Sequence, residues 1–94
     1  KKNRHYFALK VRGDSMSGAG ILDGDTAVIE KANVIHNGEI AVVEIEDYGY
    51  TLKRFFIESK RIKLQAENPA YPPIFSQNQN VRVVGRLAQV IRTY

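Results

Sequence analysis

Apolar and polar residues alternate along most of this chain with the two-residue period of β-strands. In the first such segment, residues 6–12, the apolar side chains Phe7, Leu9 and Val11 fall on one face and the polar ones mostly on the other. That pattern is typical of a strand with one buried face. Further strands are predicted at 27–29, 39–46, 50–57, 62–66 and 81–92.

Turn-forming residues separate these segments. Residues 13–24 contain four glycines and predict a long loop with at most one helical turn, and Asn37-Gly38 is a tight-turn dipeptide. Residues 67–73 carry all three prolines and cannot form a central strand, and residues 77–80 form a polar connection. We therefore predict one mainly β, barrel-like domain of six or seven strands with little helix, spanning residues 1–94.

The last predicted strand, residues 81–92, has an alternation of its own. It places four apolar side chains on one face and three arginines on the other. The apolar set is Val81, Val83, Leu87 and Ile91, and the basic set is Arg82, Arg86 and Arg92. Such a strand could pair with a second copy or remain solvated.

Composition excludes several classes of protein. The chain has no cysteine, so neither a disulfide framework nor a thiolate nucleophile is possible. No apolar run approaches the roughly 20 residues of a membrane-spanning helix, and no signal peptide is recognisable. We expect a cytoplasmic protein without contact to a membrane.

The net charge of +4 raises the alternative of a nucleic-acid-binding module. Basic residues cluster at Lys1-Lys2-Arg4 and Lys60-Arg61-Lys63. Aromatic residues do not interleave with them in the manner of a base-stacking platform. Solvated basic faces are therefore the simpler interpretation.

Ser15 and Lys53 are the candidate chemical groups. A serine becomes nucleophilic when a neighbouring base accepts its proton, and a lysine removed from water can act as that base because burial disfavours the ammonium. Arginine cannot, since it keeps its proton. Residues 51–57 are apolar on both faces, so the pattern leaves open whether Lys53 or Arg54 points inward. The alternatives are a serine bonded within its own turn and a lysine whose ammonium reaches water.

Other chemistries find no support in the chain. His5 and His36 have no partner at metal-ligand spacing, and Asp23 and Asp25 flank Gly24 as turn residues would. The glycines after Ser15 do not match a phosphate-binding loop. We predict no metal and no cofactor.

Several motifs, in order along nearly the whole chain, resemble the catalytic domain of LexA-type repressors. This group of serine–lysine self-cleaving peptidases includes phage repressors and UmuD. The matching segments are residues 9–16 with Gly-Asp-Ser-Met, residues 20–25, Asn37-Gly38-Glu39, Leu52-Lys53-Arg54, Glu67-Asn68-Pro69, residues 84–87 and residues 90–92.

The resemblance implies that Ser15 is the nucleophile and Lys53 its base, with the backbone N–H groups of Asp14 and Ser15 as the oxyanion hole. It implies hydrolysis of one peptide bond, often Ala-Gly, in the protein's own chain. It also implies a repressor of the DNA-damage (SOS) response, stimulated by the RecA filament and dimeric through residues 81–92. Alternatives are a phage-repressor or UmuD-like domain, or a dimerisation module whose Ser15 and Lys53 are inactive.

The cleavable segment and the DNA-binding domain of that family have no counterpart in this sequence. Only 14 residues precede Ser15, and they contain no Ala-Gly. Ala19-Gly20 follows Ser15 too closely to reach it in attack geometry. We therefore expect a catalytic and dimerisation domain that does not cleave itself, and that would contact operator DNA only through a domain missing here.

Overall fold

Seven β-strands form one antiparallel sheet in the computed structural model, which describes residues 4–94. The strands are β1 Tyr6–Lys10, β2 Thr26–Lys31, β3 Ile40–Ile45, β4 Gly49–Glu58, β5 Arg61–Gln65, β6 Ile74–Gln77 and β7 Val81–Ile91. Two 3₁₀ turns, Ser17–Ala19 and Asn78–Asn80, are the helical elements of residues 4–94. The predicted fold class, mainly β with six or seven strands and little helix, is confirmed.

The strands lie in the order β1-β2-β7-β3-β4-β5-β6, with β1 and β6 at the two ends of the sheet. Six of the seven strands coincide with the predicted segments. The short β6 was not predicted because it comes directly after the proline-rich segment. It pairs with β5 on one side only, which is the position where a short strand near prolines is tolerated.

The sheet is apolar on both faces, and each face carries its own hydrophobic cluster. The β4–β5 cluster is formed by Ile35, Ala41, Val43, Ile45, Phe55, Ile62 and Leu64. The β1–β2 cluster is formed by Val11, Met16, Ile21, Ala27, Ile29 and Val42. The neighbours Val42 and Val43 of β3 therefore point to opposite faces, which explains why this central strand reads as a continuous apolar run.

Strand β7 joins the two halves of the sheet and changes face along its length. Its register shifts against β3 at Val84 and against β2 at Ala88. Each extra residue moves the following side chains to the other face. Consequently Val81 and Val83 pack on the β4–β5 cluster, whereas later residues pack on the β1–β2 cluster, namely Val84, Leu87 and Val90.

The prediction that β7 carries one uniform apolar face is therefore wrong. Ile91, placed on that face by simple alternation, is 45% exposed. The predicted basic face is broken as well, because Arg82 lies opposite Glu44 while Arg86 lies opposite Ala41, on the other side of the sheet.

Across residues 4–94, no helix is both long and apolar enough to span a bilayer.

Candidate active site

The side chains of Ser15 and Lys53 meet, although the two residues lie 38 positions apart in sequence. Lys53 Nζ lies 3.3 Å from Ser15 Oγ. Lys53 belongs to β4 and is 8% exposed, while Ser15 is half-buried in the loop between β1 and β2. The sequence pattern left open whether Lys53 or Arg54 points inward, and in the structure it is Lys53 that is buried.

The environment of Lys53 is polar but uncharged. Its Nζ lies 2.7 Å from Thr51 Oγ1 and 3.4 Å from the carbonyl oxygen of Leu52. No carboxylate of residues 4–94 forms an ion pair with it. Burial without a compensating negative charge lowers the pKa of Lys53 below its usual 10.5.

Thr51 is a site residue that the sequence reasoning did not single out. It precedes Lys53 by two positions on the same strand, so both side chains point to the same face. That spacing was visible in the sequence. A hydroxyl at this spacing gains meaning only once Lys53 is known to be buried.

Residues 67 and 68 hold the Ser15 loop in place. The Glu67 N–H donates to the Ser15 carbonyl at 2.9 Å, and the Gly18 N–H donates to the Glu67 carbonyl at 2.7 Å. The Asn68 side-chain amide donates to the Asp14 carbonyl at 2.9 Å. The backbone on both sides of the nucleophile candidate is therefore fixed to one segment, the Glu67-Asn68-Pro69 motif.

Gly18 is the position where this contact demands glycine. A Cβ atom there would lie 2.5 Å from the Glu67 carbonyl oxygen, far inside normal contact distance. Any larger residue would separate the loop from residue 67 or push Ser15 aside. The close backbone approach explains one of the four glycines of the predicted loop.

The N–H groups of Asp14 and Ser15, predicted to form the oxyanion hole, stand out by their hydrogen bonding. Within residues 4–94 neither N–H donates to a hydrogen-bond acceptor, whereas the Ser15 and Asp14 carbonyls both accept hydrogen bonds. Gly13, with φ of +85°, precedes them in the left-handed region, and its own N–H donates to the Asp23 carboxylate at 2.7 Å. Both free donors therefore belong to a bend that is anchored on either side.

A cleft passes across Ser15 and Lys53. On one side is a depression of about 340 Å³ whose apolar wall is formed by Leu9, Val11, Met16, Val42 and Leu52. On the other side is one of about 370 Å³ lined by Tyr48, Tyr71, Pro72 and Ile74. Both depressions include Ser15 and Lys53, so an elongated ligand lying in the cleft would pass directly over them.

One wall of the cleft is an unpaired strand edge. Strand β5 pairs with residues Arg54–Glu58 of β4, whereas residues 49–53 pair with β3 only. The Phe55 N–H and carbonyl bond to Glu39 and Gly38 on the β3 side. By alternation, the backbone groups of Leu52 and Tyr50 point the other way, along the cleft.

Asp25 and Arg92 form a second buried polar site, away from Lys53. Asp25 is 2% exposed and accepts two 2.8 Å hydrogen bonds from Arg92 and one of 2.7 Å from the Leu22 N–H. These bonds lower its pKa from 3.8 to about 2. No group of three or more His, Cys, Asp or Glu side chains arranged to hold a metal occurs within the described part of the chain.

The basic segment at residues 60–63 lies on the outer face of β5. Arg61 stacks on the Phe75 ring at 3.9 Å, and Lys63 lies 5.6 Å from the centre of the Phe56 ring. The expectation that aromatic residues do not interleave with these cations is therefore wrong, because cross-strand neighbours supply the rings. Arg61 is also paired with Glu58. Nucleic-acid binding through this face stays a prediction, and Lys1 and Lys2 lie outside the described residues.

Residues 81–92, predicted to form a dimer, comprise β7 and the residue after it, and the C-terminal half of β7 has one free edge. Among the described residues, positions 87–91 pair with β2 alone, since pairing with β3 ends at Arg86. Ala88, Gln89 and Ile91 are exposed there. Dimerisation through this segment likewise stays a prediction.

Comparison with known proteins identifies the family of this chain. The sequence profile of the Peptidase S24-like family matches residues 1–88. This chain belongs to the Peptidase S24-like family. Membership of a peptidase family is what a buried lysine beside a cleft serine suggests, and the predicted resemblance to LexA-type repressors is confirmed by the relatives below.

Three of the similar curated proteins are LexA repressors. That of Clostridium novyi (strain NT) is 52% identical over 92 residues, which are 98% of this chain and 45% of the relative. That of Ruegeria sp. (strain TM1040) is 48% identical over 89 residues, which are 95% and 37%. That of Clostridium perfringens (strain 13 / Type A) is 49% identical over 94 residues, which are 100% and 45%. The chain thus spans less than half the length of these relatives.

Proposed function

We propose that this chain is the peptidase domain of a LexA-like repressor, in which Ser15 attacks a peptide carbonyl and Lys53 serves as its general base. One observation carries the proposal. The amine of a buried lysine without a carboxylate partner lies 3.3 Å from the Ser15 hydroxyl, in a cleft. A lysine whose pKa is lowered by burial becomes a neutral amine at a lower pH than a solvated lysine does, as a general base requires.

The three polar neighbours of Lys53 match the needs of a neutral amine. Such an amine has two N–H donors and one lone pair. The donors are taken by Thr51 Oγ1 and the Leu52 carbonyl, at 2.7 and 3.4 Å. The lone pair is then left for the Ser15 hydroxyl, which donates its proton to Nζ as Oγ attacks the carbonyl carbon.

The reaction would pass through an acyl-enzyme. Attack produces a tetrahedral oxyanion, which the N–H groups of Asp14 and Ser15 would stabilise, and one such donor is typically worth roughly 3 kcal/mol. The Lys53 ammonium then protonates the leaving amine as the C–N bond breaks, leaving an ester on Ser15 Oγ. Neutral again, Lys53 accepts a proton from the water that hydrolyses the ester, and the departing Ser15 Oγ is reprotonated from Nζ.

The form of the cleft favours an extended peptide as substrate. The backbone groups of Tyr50 and Leu52 lie along an unpaired edge, where a strand-like segment can add by main-chain hydrogen bonds. The first depression would accept a small or medium apolar side chain on its aliphatic wall, which Leu9, Val11, Val42 and Leu52 form together with Met16.

The biological role follows from the resemblance and from the names of the relatives. We propose that the peptide bond cleaved lies in a segment upstream of this domain in an intact repressor of the DNA-damage response. The RecA filament would stimulate cleavage by favouring the docked segment. Operator DNA would be bound through a separate domain, and the peptidase domains would dimerise through residues 87–91 of β7.

Cleavage in trans tests the chemistry. The substrate is the LexA repressor of Clostridium novyi, with alanine at the positions aligned with Ser15 and Lys53 so that it cannot cleave itself. Its hydrolysis by this domain is followed from neutral to alkaline pH, beside Ser15→Ala and Lys53→Ala. Arg82→Ala is the matched control, since Arg82 lies on β7 and contacts neither residue.

We expect cleavage that increases with pH, disappears in Ser15→Ala and Lys53→Ala, and persists in Arg82→Ala. If the folded wild-type domain does not cleave at any pH, the cleavable segment is fused to its N-terminus and the measurement repeated. Inactivity of that fusion as well would contradict the proposal and favour a non-catalytic dimerisation module.

A further inference from the structure

The residue after Lys53 links the base to the nucleophile through a closed circuit of contacts. Arg54 points to the opposite face of β4, where its Nε lies 2.6 Å from a Glu67 carboxylate oxygen. Its guanidinium also donates to the Gly38 carbonyl at 2.5 Å. Arg54 therefore ties Glu67 both to β4 and to the turn before β3.

Glu67 is the residue whose backbone holds the Ser15 loop. It donates to the Ser15 carbonyl at 2.9 Å and accepts from the Gly18 N–H at 2.7 Å. The circuit thus runs from Lys53 to its neighbour Arg54, through the Glu67 side chain to the Glu67 backbone, and on to Ser15. Its last step is the 3.3 Å approach of Ser15 Oγ to Lys53 Nζ.

We propose that Arg54 is a positioning residue: by clamping Glu67 to β4 it sets the position of Ser15 relative to Lys53. The proposal rests on the proposed peptidase function. Arg54 touches neither the reacting atoms nor the cleft, so its effect would pass entirely through Glu67. A planar guanidinium can serve a carboxylate and a carbonyl at once, a geometry that lysine does not reproduce.

A second arginine–glutamate ion pair, away from the Ser15 loop, allows a control. Arg82 donates to Glu44 at 2.7 and 2.9 Å across the β7–β3 pairing. Glu44 lies on β3, and neither Arg82 nor Glu44 contacts the Ser15 loop. Loss of the Arg82–Glu44 pair therefore reports what a removed surface ion pair does by itself.

The experiment combines activity with amide hydrogen exchange. Arg54→Ala, Glu67→Ala, the double variant, the milder Arg54→Lys and the control Arg82→Ala are compared with wild type in the trans-cleavage assay, at saturating substrate and across pH. We expect Arg54→Ala and Glu67→Ala each to lower the maximal rate at least tenfold without moving the pH midpoint. The double variant should be no slower than either single variant, because both remove one and the same clamp.

Exchange at two amides tests the clamp without relying on activity. The Gly18 and Glu67 amides should exchange at least tenfold faster in Arg54→Ala than in wild type, and at the wild-type rate in Arg82→Ala. Arg54→Lys should lie between the two, and it replaces Arg54→Ala if that variant does not fold.

The outcomes separate the two proposals. A wild-type domain that is inactive even as the fusion, with faster exchange in Arg54→Ala, would contradict the peptidase function and retain the clamp. An active wild type whose rate and exchange are unchanged in Arg54→Ala would overturn the positioning role. A shifted pH midpoint with an unchanged maximal rate would also overturn it, since Arg54 would then act on the Lys53 proton and not on geometry.

Discussion

Two buried ionisable side chains, Asp25 and Lys53, differ in whether the fold provides a countercharge. They are 2% and 8% exposed. Asp25 is given a full countercharge by two hydrogen bonds from Arg92. The Lys53 amine lies within hydrogen-bond distance of two hydroxyls and a carbonyl, and no carboxylate of residues 4–94 pairs with it.

Both groups have a lowered pKa, yet the consequences are opposite. Hydrogen bonds from Arg92 and Leu22 lower the pKa of Asp25 to about 2, so the carboxylate stays charged at neutral pH. Desolvation lowers the pKa of Lys53, so the neutral amine forms at a lower pH than in a solvated lysine.

Under the proposed function, this difference distinguishes a charge that stabilises the fold from one that takes part in the reaction. The Arg92 side chain, which also donates to the Gly20 carbonyl at 2.8 Å, fastens the 20–25 loop to the end of the chain. A buried cation with no countercharge stabilises nothing comparable and costs desolvation energy. The burial of such a cation beside a hydroxyl in a cleft is better explained by a functional role than by a contribution to stability.

Replacing the proposed base, Lys53, by a permanent cation should have the largest effect. Lys53→Arg keeps the positive charge but cannot release its proton, so we expect the cleavage rate to fall by about a thousandfold, as for loss of a general base. The rate should also no longer increase with pH. Retention of more than a tenth of wild-type activity would show that Lys53 needs only its charge, and the contrast with Asp25 would fail.

Removing the Thr51 hydroxyl should have a smaller effect on the same site. Thr51→Val deletes the 2.7 Å acceptor of Lys53. We expect a roughly tenfold lower maximal rate, equivalent to about one hydrogen bond. The pH midpoint should move down if it moves at all, because the lost acceptor favoured the ammonium. Thr51→Ser should restore the rate, and an upward shift of the midpoint would contradict this role.

Neutralising Asp25 should harm stability and leave the chemistry intact. Asp25→Asn leaves Arg92 without its countercharge, so we expect a melting temperature lower by several degrees, with cleavage unchanged at temperatures where the variant is folded. The folded pKa lies below the usual 3.8, so the contribution is complete above about pH 4 and is lost as the pH falls toward 2. The melting temperatures of wild type and Asp25→Asn should therefore approach each other as the pH falls through that interval. A constant difference down to pH 2 would contradict the ion-pair account.

Removing the buried Lys53 amine should increase stability, in contrast to the loss of stability expected for Asp25→Asn. Lys53→Met fills a similar volume without a charge, and we expect the free energy of unfolding to increase by about 1 kcal/mol at neutral pH while cleavage is lost. Between the lowered pKa of Lys53 and 10.5, the unfolded chain binds more protons than the folded one. The free energy of unfolding of the wild type should therefore increase relative to that of Lys53→Met as the pH rises through this interval. Denaturant unfolding at several pH values measures both effects, and a Lys53→Met variant less stable than wild type would contradict them.

Local pattern predicted most of the sheet. Period-two alternation located β1, β2 and β5 because one face of each packs against a cluster. The glycine-rich loop and the turns followed from residues with special backbone needs. The pairing of Ser15 with Lys53 came from resemblance to a family, since no local pattern relates residues so far apart in sequence.

The remaining features depend on contacts between distant segments. Alternation could not choose between Lys53 and Arg54, because β4 lies where both faces of the sheet are covered. The two bulges of β7 arise from its pairing with β2 and β3 and leave no mark in the strand itself. Asp25 was read as a turn residue, and its partner Arg92 is 67 positions away.

Direct titration of the Lys53 side chain tests the central claim most closely. The pH dependence of its ¹³Cε and ¹⁵Nζ chemical shifts can be followed by NMR, with Lys53→Met assigning the signal among the other lysines. The account predicts a pKa clearly below that of the surface lysines and equal to the pH midpoint of cleavage. A Lys53 that titrates together with the surface lysines, near 10.5, would contradict it.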